Sequence, residues 1–169
     1  NGGNRANYQR DNYYGKYFKI DYQNTFKILD FDTIVVGYDY TEELGHSYYN
    51  LVNPSTFTDV VTNMPKVTAR DGSFYLENRF NLKDRLTATQ GMRVDHHSYA
   101  GTHVTYKLDG SYLFPTATKV RGAVATGFKA PTLYQLHAPA DPGFFGWGAF
   151  GGGNPNLKSE TSFSYEYGL

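Results

Sequence analysis

SFYLENRFNLKDRLTATQGMRVD, residues Ser73 to Asp95, is the stretch that decides the fold. In its first half Phe74, Leu76, Asn78, Phe80 and Leu82 alternate with Ser73, Tyr75, Glu77, Arg79 and Asn81. Beyond Lys83-Asp84, Leu86, Ala88, Gln90, Met92 and Val94 alternate with Arg85, Thr87, Thr89, Gly91, Arg93 and Asp95. Strict alternation over runs this long is the period of a β-strand, whose successive side chains point to opposite faces. Two such runs joined by a tight polar turn predict a hairpin.

The same period recurs outward in both directions. Phe18, Ile20, Tyr22, Asn24, Phe26 and Ile28 alternate with Lys19, Asp21, Gln23, Thr25 and Lys27, and Ile34, Val36, Tyr38 and Tyr40 with Thr33, Val35, Gly37, Asp39 and Thr41. On the other side Val104 to Phe114 alternates with His103 to Ser111, Val120 to Phe128 with Lys119 to Lys129, and Phe163 to Leu169 with Ser162 to Gly168. The expectation is an all-β, antiparallel up-and-down meander of about seven strands. Its short connections fall near 29–32, 83–84 and 115–118. Its long ones fall near 42–72, 96–102 and 130–161, and 1–17 is expected to be the tail of another. Tight turns at one end and long loops at the other are the pattern of an outer-membrane barrel.

Charge separates the two faces. The faces carrying Phe18, Ile34, Phe74, Leu86, Val104, Val120 and Phe163 hold no Asp, Glu, Lys or Arg at any alternating position. The opposite faces hold nearly half of all the charged residues in the chain, among them Arg79, Arg93, Asp95, Lys107 and Arg121. A soluble antiparallel sheet, dry on one side and wet on the other, has the same sign of asymmetry. Two features favour lipid. The strands run about 10–13 residues, near the length needed to cross hydrocarbon at a tilt, where soluble strands average about 5–6. Aromatic side chains sit near both ends of the uncharged faces, Phe26, Phe80, Tyr112 and Phe114 at the turns and Phe18, Tyr38, Tyr40, Phe74 and Phe128 at the loops. Two bilayer interfaces select such girdles.

Composition agrees once the faces are separated. The 169 residues are 17% aromatic, carry a net charge of zero and have a mean hydropathy of −0.56. Zero net charge argues against a nucleic-acid binder. The absence of cysteine excludes disulfides, thiolate metal sites and thiol nucleophiles. The opening NGGNRANYQRDNYYGK lacks the apolar segment of a signal peptide. No run approaches the roughly 18 apolar residues of a membrane helix. No G-x-S-x-G, H-E-x-x-H or P-loop is present, and no nucleophile stands with a base, so an enzyme is not expected.

Two phrases carry a family resemblance. VRGAVATGFKAPTLYQLHAP, Val120 to Pro139, followed by GGGNPNLKSETSFSYEYGL, Gly151 to Leu169, resembles the TonB-dependent outer-membrane receptors. In that family a strand ends in such a "GFKAPTLYQL" phrase, a loop follows, then "NPNLKPE", then a descending strand. Ser159 stands where the family usually has Pro. TATQGMRVDHHS, Thr87 to Ser98, is similar to another family strand leading into a loop. The resemblance runs to the vitamin B12 transporter, siderophore-receptor and haem-receptor branches. It implies a transmembrane barrel of about 22 strands with an N-terminal plug, importing a scarce corrinoid, siderophore or haem on TonB-coupled energy across a Gram-negative outer membrane. Residues 1–169 are then part of the barrel domain, with the plug, which contacts TonB, and the other strands absent. Such a piece has two open edges and an apolar face that needs lipid.

Lys129, at the end of GFKAP, sits at the lumen rim, as a strand-end residue or a ligand contact. Tyr134 follows in the same phrase. Phe144, Phe145, Trp147 and Phe150, in a Gly-rich loop, can offer an apolar contact to a large planar ligand or pack on one another over the barrel mouth. Arg79, Arg93, Asp95, Lys107 and Arg121 are expected to face the lumen, with charge compensation there. His96, His97 and His103 flank a loop, but neighbouring strand residues point to opposite faces, so interfacial histidines are the simpler reading than a metal site. No cofactor is expected. The rival functions are a passive porin piece and a soluble β-sheet module that binds carbohydrate.

Overall fold

The structure, a computed structural model, describes residues 9–52, 59–140 and 151–169. Seven strands, β1 (Gln9–Leu29), β2 (Asp32–Val52), β3 (Asp59–Leu82), β4 (Leu86–His97), β5 (Gly101–Leu113), β6 (Lys119–Lys129) and β7 (Glu160–Gly168), form one sheet in sequence order. One short helix, α1 (Leu133–His137), lies between β6 and β7 in the chain. The all-β antiparallel meander is as the alternation predicts.

Turn chemistry fixes the register. Leu82 accepts from Arg85 N–H across Lys83 and Asp84, which have φ of 49° and 57°. Left-handed backbone at two successive residues of this three-residue connection, 83–85, matches the twist of the strands. It sets Leu82 opposite Leu86 and, further along, Ser73 opposite Asp95. At the next turn on this side Pro115 supplies the fixed φ of a turn's second residue. Ala117, at φ 61°, lets Phe114 N–H reach Thr118 O at 2.9 Å.

The strands β1 to β3 are longer than predicted. Residues 42–52 and 59–72, expected as loop, are strand, and so are residues 9–17. The connection between β2 and β3 narrows to 53–58, outside the described residues. The 96–102 loop is a turn of three residues, 98–100. Within the 130–161 connection the chain makes one helical turn. Thr132 caps it through Gln135 N–H, and the Gln135 side chain accepts from Thr132 N–H. This reciprocal pair satisfies two donors that a helix start leaves open.

The described residues form two compact units. One contains 19–41, 70–130 and 158–169; the other contains 9–18, 42–52, 59–69, 131–140 and 151–157. In the second, Met64, Ala69, Leu133, Leu136 and Ala138 are buried. Gly153 lies directly against the α1 backbone, where a Cβ would come within 2.5 Å of His137 N, and its own N–H donates to Ala138 O at 2.8 Å.

Burial in the first unit is the reverse of a soluble sheet. On the uncharged face Ile20, Leu76, Met92, Tyr106, Phe163 and Tyr165 are exposed, and Leu108 is 52% exposed. On the charged face Asp39, Ser73 and Asp95 are buried. A chain selected for water does not leave so continuous an apolar surface open while burying carboxylates. A barrel wall does, with lipid on one side and a polar interior on the other.

Candidate functional site

The charged face is organised around Arg93. Its position on β4 places it between β3 and β5, opposite Tyr75 and Thr105. The guanidinium donates from Nη1 to Asp39 Oδ2 at 2.7 Å and from Nη2 to Asp39 Oδ1 at 3.1 Å, a bidentate fork. Nε donates to Asp95 Oδ1 at 2.7 Å, and Nη2 also donates to Ser73 Oγ at 2.6 Å. One cation thus ties β2, β3 and β4 together. Asp39 is 5% exposed, Asp95 2% and Ser73 0%, while the Arg93 side chain keeps 35% of its surface open.

Tyr75 closes the cluster from the side. Its ring lies over β2 at Gly37, where any Cβ would fall 2.1 Å from Tyr75 Cζ. Only glycine leaves that space. The ring thereby spans a whole strand, and its Oη donates to Gln23 Oε1 on β1 at 3.1 Å. Arg93 Cζ stands 5.8 Å from the ring centroid, within cation–π reach.

A second, more open group lies along the same face. Glu77 accepts from Arg79 Nε and, at 3.3 Å, from Lys107 Nζ. Lys107 Nζ is 3.8 Å from Asp109, and Arg121 is 3.3 Å from Glu166. Gly91 sits opposite both Glu77 and Lys107 in the ladders. With no side chain there, a recess of about 370 Å³ opens between Arg93, Tyr75, Glu77 and Lys107. Exposed pairs of this kind are each worth under about 1 kcal/mol. Their value is a wall that is polar, hydrated and nearly neutral.

Arg79, Arg93, Asp95, Lys107 and Arg121 each take part in an ion pair with a carboxylate or guanidinium neighbour. Lys129 is exposed at the end of β6, opposite Glu160. Tyr134 is half exposed on α1. Phe144, Phe145, Trp147 and Phe150 lie outside the described residues. The three histidines do not converge. His96 Nδ1 meets Thr102 Oγ1 at 2.9 Å, His97 Nδ1 accepts from Tyr99 and Ala100 N–H at 3.2 Å each, and His103 Nε2 lies 2.9 Å from Ser159 Oγ. Ser159, the departure from the family phrase, therefore has a bonding partner of its own. Sequence reasoning placed Asp39 on this face but not its role, and gave none to Ser73, Tyr75 or Gly37. Facing parity was the available signal; the partnerships need the register.

A family model described as TonB dependent receptor-like, beta-barrel, matches residues 1–169. The ferrienterobactin receptor of Escherichia coli is 35% identical over 104 residues, covering 57% of this chain and 14% of that protein. A vitamin B12 transporter of Vibrio vulnificus is 29% identical over 150 residues, covering 89% and 21%. The crystal structure of the siderophore receptor PirA from Acinetobacter baumannii matches with a TM-score of 0.64 at 20% identity, over 93% of this chain and 24% of that one. At that identity the likeness is one of fold. The chain spans about a seventh to a fifth of the length of these curated relatives, which by name are receptors and transporters rather than enzymes.

Proposed function

The chain belongs to the TonB-dependent receptor β-barrel family, and we propose that the intact protein imports a scarce ligand, a corrinoid or a ferric siderophore, on TonB-coupled energy. These strands are part of the barrel wall in the outer membrane of a Gram-negative bacterium. The observation that carries the proposal is the inverted sheet, apolar on its open face and charge-compensated on the other. The open apolar face speaks against the soluble carbohydrate-binding module. Ligand is first held by the loop 130–161, with Lys129, Tyr134, Phe144, Phe145, Trp147 and Phe150 as contacts, and then passes along the face of Arg79, Arg93, Asp95, Lys107 and Arg121. Mobile cargo suits that face, because its charges are already paired and do not hold an ion tightly. TonB is engaged through a plug domain, and outer-membrane lipid covers the apolar face.

The test is uptake by a strain without its own corrinoid and siderophore receptors, expressing the complete reading frame. We expect accumulation of labelled cobalamin or of a ferric siderophore in a TonB-competent strain and loss of it when TonB is deleted. Uptake that is indifferent to TonB would establish the passive-porin reading instead.

A further inference from the structure

Proton counting around Ser73 finds a deficit. Ser73 Oγ lies 2.7 Å from Asp95 Oδ1 and 3.4 Å from Asp71 Oδ2, and it accepts from Arg93 Nη2. A hydroxyl has one proton, and the shorter, better bond takes it to Asp95. Asp71 Oδ2 then faces an oxygen with no hydrogen between them. Asp71 Oδ1 and Asp95 Oδ2 are both buried and have no hydrogen-bond partner among the described residues. Two carboxylates flanking one hydroxyl, with buried oxygens left bare, are costly when both are ionised.

We propose that the folded protein holds a proton on Asp71 more tightly than an ordinary carboxyl does, that this proton completes the Asp71–Ser73–Asp95 hydrogen bonding, and that losing it as pH rises loosens β3 from β4 beside the 98–100 turn. The bare oxygens have almost no surface open to solvent, so a proton fits where a hydrated cation does not. Among the described residues no three His, Asp or Glu side chains stand in metal-holding geometry. The charged groups around Asp71 are Asp95, Arg93 and His97 on β4 and Asp39 on β2, with Lys19 on β1 acting on Asp39 and His103 on β5 opposite Asp95. Arg93 is already shared by Asp39 and Asp95 and has no donor aimed at Asp71. Asp71 lies beyond the membrane-spanning part of β3, whose apolar face begins at Phe74. Burial first, and the charge of Asp95 second, push its carboxyl above its ordinary value.

The sign follows from linkage. A carboxyl raised on folding makes the folded state bind the proton more tightly, so its contribution is complete below the unfolded value of about 4 and is lost as pH rises through the folded value. We test this on the intact protein in lipid vesicles, measuring the folding equilibrium between about pH 4 and about pH 8. The wild type should lose up to about tenfold in that equilibrium per pH unit between the unfolded value of about 4 and the folded value, and Asp71→Asn, which carries the missing hydrogen permanently, should remove that slope. Infrared spectroscopy of the wild type alone, with labelled aspartate, gives a check that needs no variant. A protonated carboxyl band that persists above the ordinary carboxylate range and disappears on raising the pH further supports the proposal. Its absence, an unchanged slope in Asp71→Asn, or a slope abolished by calcium would overturn it.

Discussion

Arg93→Ala should destabilise the intact protein by about 3–5 kcal/mol, the range for breaking a buried ion pair by removing one partner. The reason lies less in the arginine than in what it leaves. Asp39 and Asp95 are almost wholly buried, and Arg93 supplies both with their charge-assisted bonds. Without it two largely covered carboxylates remain with only Ser73 to share. Arg79→Ala is the control. Arg79 is paired with Glu77 but its side chain is 59% exposed, so its loss should cost less than about 1 kcal/mol. Urea unfolding in vesicles reads the difference. Equal midpoints for the two variants would mean that the Arg93 cluster is hydrated and contributes no more than a surface pair.

Leu108→Arg should cost a comparable amount for a different reason. Leu108 is near the middle of β5, on the uncharged face, between Gln90 and Val124 in the ladders. An arginine at the bilayer midplane costs about 2–4 kcal/mol. The neighbouring positions already carry Lys107 and Asp109, so charge as such is tolerated on this strand; only the face differs. The assembled fraction in the outer membrane, and the urea midpoint in vesicles, should both fall. On a water-exposed sheet the same change would stay within about 0.5 kcal/mol, and a result of that size would contradict a lipid-facing surface.

Parity carried most of what could be read in advance. Because side chains alternate strictly, knowing that Phe74 and Leu76 face one way places Tyr75, Glu77 and Arg79 on the other with no further information. Parity does not say which residues on a face meet. Arg93 reaches Asp39 across an intervening strand, and Ser73 meets Asp95 only because two left-handed residues, Lys83 and Asp84, fix the hairpin register. Alternation also failed where nothing selects it. Glu42, Glu43, Leu44, Gly45, His46 and Ser47 are strand, yet charged, apolar and small residues follow one another with no period of two. They were therefore expected as loop. The helical turn at 133–137 did have a signal, the Thr132 to Gln135 capping spacing, but one turn is too short to show a helical period. The Gly37 and Tyr75 contact had none, since a glycine in a strand has many possible reasons and the aromatic that fills its space lies 38 positions away.

The central claim is that the uncharged face meets lipid and the charged face meets water. These 169 residues contain no cysteine, so single cysteines introduced along β5 from His103 to Tyr112 can carry a spin label in the intact protein in bilayers, with any cysteine elsewhere in the reading frame first replaced by serine. Labels at 104, 106, 108, 110 and 112 should be accessible to oxygen dissolved in lipid. Labels at 103, 105, 107, 109 and 111 should be accessible to a water-soluble relaxation agent. An accessibility that alternates with period two in this phase is the predicted result. Water access on both faces, or the opposite phase, would contradict it.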